Sequence, residues 1–193
     1  MSVAVAEQLG SEDLYRYSLD AYHRLVEAGG FGENERVELL DGMIVTMSPK
    51  TPEHERALQL LTDWLYDHVD RGRFRIGVAT ALTLENSEPE PDLVVIERGT
   101  PAPYHPSTAA LAIEVSVSSL ARDLKIKTQV YGSAGVLEYW VLDLQGRRLV
   151  AHRDPTDDGY ADRREYSAGE RVTATAVELP PLDLGELLAV TGG

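Results

Sequence analysis

A strand–helix–strand segment in the middle of the chain restricts the fold more than any other feature of the sequence. Residues 111–117 and 137–144 are apolar runs of strand length, and residues 120–134 between them have helical spacing and end before Gly135. A helix that connects two strands of one sheet allows the strands to pair in parallel. The segment therefore predicts an α/β or mixed α+β fold, with a mixed central β-sheet flanked by helices.

The N-terminal part of the chain predicts a helix and a β-hairpin. Ser18 can cap a helix over residues 19–28, because Gly29-Gly30 supplies a stop signal. Asp41-Gly42 is a strong signal for a two-residue hairpin between two short β-prone runs. Further predicted elements are a helix over residues 52–69, strands over 74–84, 92–96 and 147–152, and a short C-terminal hairpin before a leucine-rich segment.

Length and composition favour one domain. With 193 residues, 43% of them hydrophobic, the chain can bury one sizeable core. We expect an N-terminal extension over residues 1–16 and a single domain over residues 17–193. No apolar run approaches the roughly 20 residues that cross a bilayer, and residues 1–10 lack a basic leader. These features predict a cytoplasmic protein without a membrane span.

Charge and cysteine content limit the chemistry. The absence of cysteine excludes disulfides and thiolate ligands, so a bound metal would have to be held by carboxylates, histidines or carbonyl groups. The formal charge of −14 produces a field that repels nucleic acid unless the basic residues are clustered. This charge is the strongest argument in the sequence against a nucleic-acid enzyme.

Two carboxylates at predicted strands suggest a metal site. The prolines before Asp92 hold it at the start of an apolar strand. Glu114 interrupts an apolar strand, and the period-two pattern places it with Ser116 opposite the apolar face. Carboxylates on adjacent strands can share a Mg²⁺ or Mn²⁺ ion that keeps waters for phosphate chemistry. The sequence therefore predicts Asp92 and Glu114 as metal ligands.

A lysine on the following helix can complete this site. At about 100° per residue, Lys127 projects with Leu120, Leu124 and Tyr131, whereas Lys125 points away from that stripe. An inward lysine needs an anion, and Glu114 or a phosphate could supply it. Asp123, one turn earlier, could also pair with Lys127.

The order of several sequence blocks resembles the Uma-two family of bacterial endonucleases, which is placed in the PD-(D/E)xK nuclease superfamily. The resemblance covers approximately residues 17–150. The blocks that carry it are Val37 to Ile44, Met47-Ser48-Pro49 with His54, Pro91-Asp92, Glu114 to Ser118, Asp123 to Lys127, Tyr131, Gly135-Val136 and Glu138 to Asp143.

The resemblance implies a restriction-endonuclease-like fold and a nuclease activity. The superfamily pattern has lysine two residues after the acidic residue, and this chain has Ser116 there. The family is similar to this chain in carrying its lysine on the following helix, at the position of Lys127. The resemblance also makes Glu38, on the N-terminal hairpin, a fourth acidic residue near the metal.

Each candidate also has a structural interpretation. Asp92 could cap a turn, and Glu114 could form a structural ion pair with Lys127 or Arg122. Lys127 could be that partner, or could extend its ammonium group to solvent. Glu38 could pair on the surface with Arg36 or Lys50. His54 is interpreted as a packing histidine and is left out of the catalytic set.

Three functions remain open at the level of sequence. The first is a Mg²⁺- or Mn²⁺-dependent endonuclease that hydrolyses DNA, with Asp92, Glu114, Lys127 and Glu38 at its site. The second is a catalytically inactive binding or assembly module with the same fold, and the third is a metal-dependent hydrolase of smaller phosphate esters. Cleavage of both strands of a duplex suggests a homodimer, with residues 179–190 as a candidate interface.

Overall fold

The described part of this computed structural model, residues 14–33 and 35–189, contains ten strands and five α-helices. The helices are α1 (Leu19–Glu27), α2 (Pro52–His68), α3 (Leu120–Arg122), α4 (Thr128–Ser133) and α5 (Leu184–Ala189), and a π-helical turn (Asp123–Lys127) joins α3 to α4. The strands are β1 (Val37–Leu40), β2 (Met43–Thr46), β3 (Phe74–Val78), β4 (Leu93–Glu97), β5 (Leu111–Ser116), β6 (Glu138–Asp143), β7 (Arg148–Thr156), β8 (Gly159–Ser167), β9 (Arg171–Val172) and β10 (Leu182–Asp183).

The central sheet has six strands in the order β3-β4-β5-β6-β7-β8. Among the described strands, β5 and β6 are the one pair that runs parallel, and the α3–π–α4 segment connects them, as the strand–helix–strand pattern predicts. All other neighbours in this sheet are antiparallel. The predicted fold class, a mixed sheet flanked by helices, is therefore confirmed.

The N-terminal hairpin packs beside this sheet. Asp41 and Gly42 both have positive φ, 47° and 75°, which is the backbone of the tight turn that their sequence predicts. A bridge between Leu39 and Glu88 joins β1 to the chain that leads into β4. The hairpin is thus held next to the N-terminal end of β4.

Apolar clusters cover both faces of the sheet. Alternate residues of β5 lie on opposite faces, so Leu111, Ile113 and Val115 belong to one cluster and Ala112 to the other. Leu61 and Leu65 of α2 complete the first cluster, and Val130 and Tyr131 of α4 complete the second. Glu114 is therefore on the face covered by the α3–π–α4 segment.

Two sequence predictions need correction. The strand predicted over residues 74–84 ends at Val78, because Ala79 has a φ of +45° that breaks the extended backbone. The C-terminal leucines Leu182, Leu184, Leu187 and Leu188 are buried in the core, so residues 179–189 do not offer them as a dimer interface; Val190 lies outside the described residues.

The structure describes only the last three residues, 14–16, of the predicted N-terminal extension. Most of the predicted extension over residues 1–16 lies outside the described residues, so its boundary stays a prediction. Across the described ranges, no helix is long and apolar enough to cross a membrane.

Candidate active site

Strand pairing places Asp92 and Glu114 opposite each other. β4 pairs antiparallel with β5 through Leu93 and Ile113, and one further step in this register brings Asp92 level with Glu114. Directly opposed residues of an antiparallel pair have Cβ atoms about 5 Å apart. Both side chains are buried and line one pocket, with relative exposures of 9% for Asp92 and 6% for Glu114.

Asp92 is held through one of its two carboxylate oxygens. Its Oδ2 accepts a hydrogen bond from the backbone N–H of Val115 at 2.9 Å and lies 3.0 Å from His54 Nε2. Lys50 Nζ is 3.8 Å from the other oxygen, Oδ1. Burial alone would raise the pKa of Asp92, but the hydrogen bond and charge of His54 and the N–H of Val115 lower it overall. Asp92 is therefore an ionised carboxylate whose Oδ1 has only a loose partner.

Lys127 lies between two buried carboxylates. Its Nζ is 2.7 Å from Glu114 Oε1 and 2.9 Å from Glu38 Oε2, and the side chain is 3% exposed. Burial would lower the pKa of Lys127, but the charges of Glu114, Glu38 and Asp123 raise it above its usual value. Burial raises the pKa of Glu114 well above normal, although Lys127 opposes this shift. Lys127 therefore carries a positive charge inside the pocket.

Side-chain hydrogen bonds to Asp123 hold the first residue of the π-helical turn that ends at Lys127. In this turn the carbonyl oxygen of Asp123 accepts hydrogen bonds from Tyr139 Oη and Thr128 Oγ1, each at 3.1 Å. The carboxylate of Asp123 accepts hydrogen bonds from the hydroxyl groups of Ser116 and Ser119. The ion pair of Asp123 with Lys127 that the sequence suggested is accordingly not formed, because these hydroxyls hold the Asp123 carboxylate.

Glu38 enters the pocket from the hairpin. It is 1% exposed, and its cross-strand neighbour is Val45. The surface pairing with Arg36 or Lys50 is not formed, because Arg36 pairs with Glu90 and Lys50 faces Asp92. Glu38 Oε1 is buried without a hydrogen-bond partner, and Arg122 Nε lies 3.7 Å from it.

The structure thus brings all four predicted residues together and adds others. Asp92, Glu114, Lys127 and Glu38 all line the same pocket, and so do His54, Lys50 and Arg122. His54 was assigned to packing, yet its imidazole contacts Asp92. The clue in the sequence was its position in the first turn of α2, directly after the loop that carries Lys50. The position of His54 points to Asp92 only when the register of the sheet is known.

The pocket has the donors for a hard divalent cation. Its volume is about 40 Å³, and its carboxylates are Glu38, Glu90, Asp92, Glu114 and Asp123. Mg²⁺ is typically bound by one or two carboxylates and several waters, so the two carboxylates of Asp92 and Glu114 suffice. Within residues 14–33 and 35–189, no three histidine or acidic side chains already surround a common metal position. The donor set fits an ion that keeps most of its water shell.

A family model described as "Uma2: Putative restriction endonuclease" matches residues 19–184. The chain belongs to the Uma2 family. Among solved structures, the chain is similar to one described as a "putative nuclease belonging to DUF820" from Anabaena variabilis, with a TM-score of 0.70 and 13% identity over 90% of this chain and 98% of that one. No curated protein matches this chain. Membership of the Uma2 family supports a nuclease, and the structural neighbour supports the fold.

Proposed function

We propose that the chain is a metal-dependent endonuclease that hydrolyses DNA phosphodiester bonds. The observation that carries this proposal is the register that sets Asp92 opposite Glu114 in a pocket that also contains Lys127. The description of the Uma2 family supports nuclease chemistry. In this proposal Asp92 and Glu114 are the residues that hold Mg²⁺ or Mn²⁺.

The residues of the chain have distinct roles in this proposal. A bound divalent ion supplies Lewis acidity and a more acidic water. His54 and the N–H of Val115 keep Asp92 ionised and fix its Oδ2, so Oδ1 is directed to the ligand. The ammonium group of Lys127 stabilises the negative charge that develops on the phosphate. Glu38 holds Lys127 beside Glu114.

The position of Lys127 accounts for the departure from the superfamily pattern. Ser116 stands two residues after Glu114, and its hydroxyl donates to Asp123. That bond anchors the first residue of the π-helical turn, and the turn ends at Lys127, 2.7 Å from Glu114. We propose that a lysine from the helix replaces a lysine from the strand.

Cleavage of supercoiled plasmid and of single-stranded DNA with Mn²⁺ or Mg²⁺ tests the proposal. We expect Asp92→Asn to lower the rate by at least about 100-fold, because the amide lacks the negative charge with which the carboxylate binds a divalent cation. Asp67→Asn, a change at an exposed position of α2, is purified identically as the control for contaminating nuclease. Full activity in Asp92→Asn would refute the metal role of this residue.

The second candidate is a nuclease-fold binding or assembly module without catalysis. The observations that favour it are the net charge of −14 and the engagement of Lys127 by two carboxylates. Calorimetric titration with Mn²⁺ separates the candidates, since a module without catalysis has no need of the ion. Heat of binding in the wild type that is absent from Asp92→Asn favours the enzyme.

The proposed DNA substrate has two further consequences. An enzyme that cuts both strands needs two sites, so we propose a homodimer, which light scattering coupled to gel filtration measures directly. A chromosomal or invading DNA substrate also implies that the protein works in the cytoplasm.

A further inference from the structure

We propose that Lys50 is the residue that binds the substrate phosphate at the mouth of the pocket, as a second active-site lysine beside Lys127. This inference rests on the proposed nuclease function and extends it to a residue that the sequence pattern did not single out. It is carried by the placement, exposure and loose pairing of the Lys50 ammonium group.

The chain around Lys50 is stiff. Lys50 lies in the loop between β2 and α2, with Pro49 before it and Thr51-Pro52 after it. Proline fixes its own φ and restricts the residue before it, so both flanks of Lys50 have little freedom. Thr51 caps α2 with its side chain, whose hydroxyl oxygen accepts a hydrogen bond from the backbone N–H of His54. The backbone therefore presents Lys50 to the pocket at a defined place.

The ammonium group of Lys50 is close to the proposed metal ligands without being tied to them. Its Nζ is 3.8 Å from Asp92 Oδ1, which is too long for a hydrogen bond, and its side chain is 26% exposed. Asp92 does not depend on this contact, because its Oδ2 already bonds with His54 and Val115. Lys50 can therefore move to an incoming anion without leaving a buried carboxylate unsupported.

The other cations of the pocket are more firmly engaged. Lys127 is 3% exposed at its side chain and contacts two carboxylates at 2.7 and 2.9 Å. Arg36 pairs with Glu90, and Arg122 donates its Nη1 to the carbonyl of Thr46 at 2.8 Å. Among the cations that line this pocket in the described structure, Lys50 is the one with both solvent access and no contact at hydrogen-bond distance.

The acidity of the pocket makes such a cation necessary. Five carboxylates line it, and each repels the phosphate group of a substrate. A lysine ammonium is a compact charge with three rotatable donors, which suits a single phosphate oxygen. Lys50 at the mouth and Lys127 at the base would place positive charge on two sides of the phosphate.

The test combines cleavage kinetics with Mn²⁺ affinity for wild type, Lys50→Ala, Lys50→Arg and Lys125→Ala. Lys125 is an exposed lysine on the π-helical turn and serves as the matched control. We expect Lys50→Ala to lower kcat/KM by about 100-fold and Lys50→Arg to recover part of the loss. Mn²⁺ affinity, measured by electron paramagnetic resonance, should be unchanged or tighter in Lys50→Ala, because a cation next to Asp92 has been removed.

The two readouts separate the possible failures. An active enzyme in which Lys50→Ala behaves like Lys125→Ala overturns the role of Lys50 and leaves the proposed function intact. A loss of Mn²⁺ affinity in Lys50→Ala also overturns it, because Lys50 would then act by positioning Asp92. A wild-type protein that binds Mn²⁺ but cleaves no nucleic acid overturns the proposed function and the role of Lys50 together.

Discussion

Lys127 balances the charge of the buried part of the pocket. Glu38, Glu114 and Lys127 are each at most 6% exposed, so none of them is solvated as it would be in water. Burying an unpaired charge costs several kcal/mol, and Lys127 contacts both acidic groups directly. The same residue is therefore needed for stability and proposed for catalysis, and a change in activity alone cannot distinguish the two roles.

A measurement of stability separates the structural role of Lys127 from its proposed catalytic role. We expect Lys127→Met to lower the free energy of unfolding by about 3–5 kcal/mol, because it leaves Glu38 and Glu114 without their shared cation. The exposed Lys125→Met should change it by less than about 0.5 kcal/mol. Urea unfolding followed by circular dichroism measures both variants.

The control for this prediction is a variant in which the two carboxylates next to Lys127 are also neutralised. Adding Glu38→Gln and Glu114→Gln to Lys127→Met removes the unpaired carboxylates, so the triple variant should regain part of the lost stability while remaining inactive. Equal stabilities for Lys127→Met and Lys125→Met would show that the buried ion pairs do not support the fold.

At the scale of secondary structure, the elements with strong local signals were predictable. Asp41-Gly42 specified its hairpin turn, and Ser18 caps α1 through its side chain as its sequence indicates. The apolar alternation of β5 correctly separated Glu114 from Leu111, Ile113 and Val115. These features depend on neighbours a few residues away, which a sequence displays directly.

Features that depend on distant contacts were not predictable. The π-helical turn relies on Tyr139, a residue of β6, whose hydroxyl group donates a hydrogen bond to the carbonyl oxygen of Asp123. Contact between Asp92 and His54 joins residues 38 positions apart. The pairing of Glu38 with Lys127 requires the hairpin to dock against the π-helical turn. None of these contacts produces a regular spacing of apolar residues or a local motif that could be recognised in the sequence.

The contact between α4 and β8 yields a prediction at this scale. A Cβ atom on Gly132 would lie 2.0 Å from the carbonyl oxygen of Gly159, so helix and strand can approach this closely only through glycine. We expect Gly132→Ala to destabilise the protein by about 2–3 kcal/mol, despite the higher helix propensity of alanine. Ser133→Ala, at the adjacent exposed position, should be nearly neutral in the same thermal or urea unfolding experiment. Comparable stability in the two variants would contradict the close approach.

For the whole molecule, charge is the property that most restricts DNA binding. Of 18 lysines and arginines, at least ten form ion pairs with acidic side chains. Arg73 and Arg98 lie at the end of β3 and β4 away from Asp92, because Phe74 pairs with Glu97 and Val78 with Leu93. Besides the buried Lys127, the lysines and arginines that line the site are Arg36, Lys50 and Arg122, and Arg36 and Arg122 can contact DNA only by giving up their present partners.

This small set of cations predicts a shallow dependence of DNA affinity on salt. Each phosphate contact contributes about −0.9 to the slope of log affinity against log salt for duplex DNA, so three contacts, the most that these residues allow, give a slope of about −2.7. Asp92→Asn, which is expected to bind without cutting, allows the measurement by fluorescence anisotropy between 50 and 200 mM salt, where affinity should fall about 40-fold. Lys50→Ala should make the slope shallower by about 1. A slope of about −6 or steeper would instead require a cationic surface beyond the pocket, such as one completed by a second subunit.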